Sequence, residues 1–330
     1  MQSRNSVAHL LALTLLFSYA ESLLPRLAPF KLGLANAVTL FALSLDVPSF
    51  FALCLAKPIV SSLMAGTLFS PFFAVSLAQS VCSGALMFAL NAILPKRFFS
   101  CYGISLLGAA ASTFVQIFLC RAYLGSGVMG FLPPLLLFSL FSGTAAAFAH
   151  EQFAPDFEAG LSAAAEEEKP AKADGAIPKR AALKTALLVF LSATVFMVNT
   201  IAFRAPAFVL SLALQKRAGR RIRAVPHVFL WLFVFATHLF SPCGRVLFRL
   251  WTVPATDGAL RFALSQSLAL SAAMALSQCV PHHALPKRTI VAQAFAQFGN
   301  MMRVMDSGEL AGKPLAEKIS RVIRAQRQAE

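Results

Sequence analysis

Charge is scarce in this chain. Only 13% of its 330 residues are Asp, Glu, Lys or Arg, where a soluble domain carries about 25%. With 58% hydrophobic residues and a mean hydropathy of +0.69, that shortage excludes an ordinary soluble domain and fits an integral membrane protein. Cysteine is sparse too. Cys54, Cys82, Cys101, Cys120, Cys243 and Cys279 form no CxxC pair, so neither a disulfide framework nor a zinc site is indicated. There is no GxxxxGKS/T phosphate loop, no HExxH and no GxSxG. Those absences remove phosphate-loop ATP hydrolysis, HExxH zinc chemistry and the nucleophile elbow. A DDxxD cluster is also missing, and the magnesium of prenyl diphosphate chemistry needs convergent carboxylates. No catalysis and no cofactor are expected in this chain.

What charge there is leans basic, to a net +15. In a membrane protein such an excess collects on cytoplasmic loops and meets anionic lipid, so it does not imply nucleic acid. The expected partners begin with the lipid bilayer.

The chain divides at 151–180, "EQFAPDFEAGLSAAAEEEKPAKADGAIPKR", a polar stretch without apolar helical periodicity that reads as a linker. Before it, spans of about 20 residues are expected at 6–24, 33–45 (short), 49–69, 72–94, 101–123 and 128–150. Pro and Gly mark their boundaries. After it, 184–203 and 205–214 are expected to be separated by Arg204 and Pro206, followed by 226–240 and 259–280. "SPCGRVLFRLWTVPATDG" joins the last two. Residues 1–20 also resemble a signal peptide, but a first membrane helix is the simpler reading. The fold expected is all-α and polytopic: a six-helix bundle over 1–150, the linker, about four further membrane segments in 181–285, and a cytoplasmic amphipathic tail in 286–330.

Lys and Arg set the orientation. Lys96, Arg97, the linker basics, "QKRAGRRIR" at 215–223, Lys287 and Arg288 fall on one side. That predicts ten crossings of a bacterial cytoplasmic membrane with both termini inside. In the tail, Phe295, Phe298, Met302 and Met305 fall on one helical face. A second short helix carries Arg321 and Arg324 on its basic side. Such helices lie on a membrane surface or dock a partner.

Polar residues inside apolar segments are the candidate site. An ionisable group at mid-bilayer costs about 2.5–3.5 kcal/mol and usually faces an interior. Asn36, Lys57, Asn91, Gln116 and Asn199 are of this kind, with Glu21 and Lys31 at a span boundary. Asn91 reads as interfacial. For Lys57, beside Pro58, snorkelling and a functional role both stand. Glu21, Lys31 and Asn36 cluster in "ESLLPRLAPFKLGLANAVTLFAL" (21–43), where a solvated turn competes with the outward mouth of a solute pocket. In the fifth span, Gly103, Gly108 and the following Ala109, Ala110 and Ala111 let helices approach closely. Ser112, Thr113 and Gln116 offer hydrogen bonds there.

The stretch "ES…P…KLGLANAVTL", followed by "GISLLGAAASTFVQ", resembles the Gx transporter family, also labelled heptaprenyl diphosphate synthase component I. The likeness covers roughly 6–150. Its members look like the six-helix substrate-binding components of energy-coupling factor transporters. Members tend to have a His-Asn pair where this chain has Ser112-Thr113. The second block is similar to the transmembrane component of the same transporters over "LVFLSATVFMVNTIAFRAPAFVLSLAL", "FATHLFSPCGRVLF" and "TVPATDGALRFALSQSLALSAAMALSQC". It lacks a final membrane helix and an Ala-Arg-Gly motif, of which Ser320-Arg321-Val322 is a partial echo.

The resemblance implies a substrate-binding block fused to a coupling block. The expected function is uptake of a small hydrophobic or vitamin-like solute, driven by separate ATP-binding cassette ATPases. The alternatives are a non-catalytic accessory subunit of heptaprenyl diphosphate synthase and a membrane scaffold for a flavin or redox complex.

Overall fold

The computed structural model describes residues 2–23, 37–93, 100–166, 179–220, 222, 224–250, 253–280 and 289–305. Local signals set most helix ends. Helix α1 is Gln2–Leu23 and α2 is Ala37–Phe41, followed by a 3-10 turn, Ala42–Ser44. Helix α3, Val47–Ala65, starts on Asp46, whose carboxylate accepts from the Ser49 amide, and stops at Gly66 in the left-handed region (φ 69°). A left-handed glycine is a common helix stop. Helix α4 is Pro71–Ile93. Helix α5, Cys101–Leu124, is capped by Ser100 and ends at Gly125. After the 3-10 turn Ser126–Phe131 comes α6, Leu132–Glu166.

Helix α6 therefore runs well beyond 150. The first half of the expected linker is helical, because its Ala and Glu residues favour helix even where no apolar stripe exists. Of the crossing expected over 33–45, the described residues hold the short helix Ala37–Phe41 and the 3-10 turn Ala42–Ser44; residues 33–36 lie outside the described residues.

The second block holds α7 (Lys179–Met197), α8 (Ile201–Arg217), α9 (Ala224–Leu239) and α10 (Asp257–Gln278). The break falls at 198–200, not at Arg204 and Pro206; both of those lie inside α8. The connector forms an antiparallel hairpin, β1 (Val246–Leu250) with β2 (Val253–Thr256), an exception to the all-α expectation. Helix α11, Ile290–Met305, closes the described chain. Among the described residues, five helices are long and apolar enough to cross a membrane: α3, α4, α5, α6 and α10. The expected count of ten crossings is not reached by that measure.

Helix α1 is the centre of the first block. Leu10, Leu11, Leu13, Leu15 and Leu16 are all fully buried. A helix apolar on every side must be covered on every side, and α3, α6 and α11 do this. Helix α11 lays Ala294 and Met301, both fully buried, against it. The sequence left this helix to a membrane surface or a docking partner; here its apolar face is turned onto α1. Phe17 meets Phe153 edge-on, ring centroids 6.1 Å apart. Nearby, the Tyr102 hydroxyl donates to Glu151 at 2.7 Å. The C-terminal end of α1 thus lies at the linker end of the bundle.

The second block engages the other end. The Leu68 amide donates to Ser277 Oγ at 2.9 Å, and Ser192 Oγ donates to the Phe69 carbonyl at 3.0 Å. Ser126 and Ser241 hydroxyls are 3.1 Å apart. Gly127 lies so close to the Thr237 carbonyl that a Cβ would overlap it. These contacts come from the turns joining α3 to α4 and α5 to α6.

Candidate functional site

Four elements of the first block converge on a small hollow. Thr39 of α2, Ser83 and Met87 of α4, Ser105, Gly108 and Ala109 of α5, and Gly143 of α6 line it. It holds room for about one water. Small residues make it possible. A Cβ on Gly143 would press on Ala109 and on the α5 backbone at Ser105 and Leu106, at 3.1–3.3 Å. Ser105 Oγ donates across to the Gly143 carbonyl at 2.7 Å, tying α5 to α6. Over Gly108 lies the Met87 side chain, where a Cβ would meet its sulfur. Methionine is flexible and adapts to irregular space.

Lysine chemistry reaches the hollow through one hydrogen bond. Lys57 Nζ on α3 donates to Thr39 Oγ1 at 3.0 Å, and Thr39 lines the hollow. Lys57 is half-buried, so it turns toward protein rather than only along the lipid face. On the other side, Ser83 Oγ donates to the Gln79 carbonyl at 2.6 Å. The Gln79 amide nitrogen lies 3.1 Å from Gln116 Oε1 and 3.3 Å from Ser112 Oγ. Gln79 thus joins two residues picked out by sequence, although it was not itself picked out. A signal existed: it is a lone glutamine in the apolar run of α4. Thr39, Ser83 and Ser105 give no such signal, because hydroxyls are ordinary in membrane helices.

The remaining candidates separate. Thr113 is buried and donates back to the Ala109 carbonyl of its own helix at 3.1 Å, which takes it out of the Gln79 cluster. Glu21 lies in the last turn of α1, at the linker end rather than at the end facing the second block. Lys31 and Asn36 lie outside the described residues, as do Arg321, Arg324 and the Met305 side chain. Phe295, Phe298 and Met302 pack with the α1 cluster. Among the described residues, no group of three or more His, Cys, Asp or Glu stands ready to hold a metal.

A second polar cluster sits in the other block. Arg204, expected at the break between two spans, is only 3% exposed. Its guanidinium donates to the Val195 and Phe196 carbonyls at 3.2 and 3.4 Å and to Ser265 Oγ at 2.6 Å. Ser265 in turn donates to Asn199 at 3.3 Å. The two carbonyls belong to the last turn of α7, where unpaired acceptors and the negative end of the helix dipole welcome a cation. Arg204 is a helix cap in this arrangement.

Residues 10–153 match the family model of heptaprenyl diphosphate synthase component I. That is under half of the chain. It runs from within α1 into α6 and includes the hollow and Lys57. Residues 180–281 match a second family model, described as a domain of unknown function. No curated protein and no solved structure matches the chain. The first match and the apolar helices fit a membrane protein of the Gx transporter type.

Proposed function

We propose that the chain is the membrane subunit of an energy-coupling-factor-type uptake transporter. The first block binds a small hydrophobic or vitamin-like solute, and the second transmits movement from separate ATPases. The observation supporting this most is the hollow within the family-matched block, lined by three hydroxyls together with Gly108, Ala109, Gly143 and Met87. A solute entering it meets Thr39, Ser83 and Ser105, with the Lys57 ammonium one hydrogen bond behind. At its present size the hollow must widen, and the flexible Met87 side chain, packed over Gly108, is the one that has to move. Asn36 directly precedes α2, which bears Thr39. In this reading Lys31 and Asn36 hold the polar end of the solute, and Glu21 orients them. Displacement of the second block reaches the hollow through the turns that α7, α9 and α10 touch. Arg321 and Arg324 remain for partner contact.

The description of the matched family supports a second reading, an accessory subunit of heptaprenyl diphosphate synthase. One experiment separates the two. The full chain is purified in mild detergent, and its protein partners and bound small molecules are identified by mass spectrometry. ATP-binding cassette subunits with a bound solute support the transporter. A prenyltransferase in their place overturns it in favour of the synthase. A reporter at Gly175 should read cytoplasmic; an external reading overturns the expected orientation of the chain.

A further inference from the structure

The β1–β2 hairpin presents apolar side chains to its surroundings. Val246, Leu247 and Phe248 are each more than half exposed, at 52%, 58% and 53%. The exposed face belongs to β1; on β2, Ala255 and Thr256 are buried where the hairpin meets α9 and α10, and the pairing is irregular between Val246 and Phe248. A two-stranded hairpin is marginal in water, and such a surface needs a partner. Arg245 and Arg249 flank the apolar residues and are exposed as well.

The hairpin is nonetheless held firmly at its root. The Arg245 amide donates to Asp257 Oδ1 at 2.9 Å, and the Asp257 amide donates to the Arg245 carbonyl at 3.0 Å. The Cys243 amide donates to Thr256 Oγ1 at 3.1 Å. Asp257 also accepts from the Gly258 amide at 2.8 Å, so its carboxylate is engaged at the root of the hairpin, while Arg245 and Arg249 lie exposed beside the apolar residues. Asp257 is also the first residue of α10, a helix long enough to span a membrane. The root therefore sits at one end of a spanning helix.

We infer that the hairpin is an interfacial anchor, seating Val246, Leu247 and Phe248 at the acyl–headgroup boundary with Arg245 and Arg249 on anionic lipid headgroups. Apolar side chains beside basic ones suit that boundary, and the charge matches anionic lipid. An acidic protein partner would match the arginines but leave three large apolar side chains unexplained.

The test uses the two tryptophans of the chain, Trp231 and Trp251; the second lies in sequence between the strands. Full-length Trp231→Phe, which leaves Trp251 alone, is placed in phosphatidylcholine vesicles with or without phosphatidylglycerol. Lipids bearing a nitroxide at a shallow or a deep acyl position act as quenchers. The expected result is blue-shifted Trp251 emission, lost more strongly to the shallow label, with greater loss when phosphatidylglycerol is present. Arg245→Gln with Arg249→Gln should abolish that lipid difference, as should high salt. Should Trp231→Phe fail to fold, subtracting the Trp251→Phe signal from that of the native chain yields the same reading. Water-like emission open to acrylamide and untouched by lipid nitroxides overturns the inference. So does protection from both quenchers, which would mean that protein covers the hairpin.

Discussion

The ring of Phe298 meets that of Tyr19 edge to face, with centroids 6.5 Å apart. The contact joins the last described helix to the first. Between them, Ala294 and Met301 are fully buried. Helix α11 is thus part of the wall of the first block.

Removing residues 289–330 should therefore unsettle the first block itself. It strips one side from α1, whose leucines then face lipid or detergent. Ala294→Leu is the milder test, since overpacking a tight site costs about 1–3 kcal/mol. Thermal melting of the purified chain in detergent should show a lower midpoint for both. An unchanged midpoint in the truncated chain would return α11 to a membrane-surface or partner-docking role.

Lys57→Met tests the hollow. It removes a charged donor and keeps most of the volume. A hydrogen bond to a charged group contributes about 1.5–3 kcal/mol, so solute affinity should fall about ten- to a hundredfold. Expression should hold, because an intramembrane charge is itself unfavourable. Thr39→Val, which removes both the lining hydroxyl and the acceptor of Lys57, should weaken binding at least as much. Isothermal titration with the solute found by mass spectrometry provides the measurement, and unchanged affinity in both variants would move the site away from Lys57.

Gly127→Ala tests the joint between the blocks. The new methyl would collide with the Thr237 carbonyl, which is backbone and cannot swing aside. At Gly108 the added methyl meets only the Met87 side chain, so Gly108→Ala should melt close to the native chain. Gly127→Ala should instead make the segment joining the blocks, 167–178, more open to protease. Identical digestion patterns for the two variants would mean that this contact does not hold the blocks together.

Arg204→Met should lower stability markedly. It leaves the Val195 and Phe196 carbonyls and Ser265 without their donor, and a buried orphaned group costs about 1–3 kcal/mol. Arg204→Lys should not restore the native midpoint, because an ammonium cannot reproduce the fork of a guanidinium. Full recovery by lysine would show that charge alone matters at this cap.

How much of this was legible beforehand depends on the range of the signal. The expected span 72–94 became α4 at Pro71–Ile93, and 101–123 became α5 at Cys101–Leu124. Their ends are written in Pro71, Ser100 and Gly125, which act on adjacent backbone. The 198–200 break was misplaced because Pro206 looked like a boundary, whereas membrane helices accept an interior proline. Of the candidate site, sequence found Lys57, Ser112 and Gln116 but not Gln79, which joins two of them.

By itself the sequence determined that the chain is apolar enough for a bilayer and where most of its helices begin and end. Only the tertiary structure decided what each helix touches. An apolar helix reads the same whether lipid or protein surrounds it, because lipid tails are as apolar as leucine. That is why the enclosure of α1 over residues 7–17 could not be read from residues 6–24. An amphipathic face, likewise, states that something must cover it and not what. Helix α11 found α1, and Arg204 found the carbonyls of α7, through contacts between helices that no periodicity in the chain records.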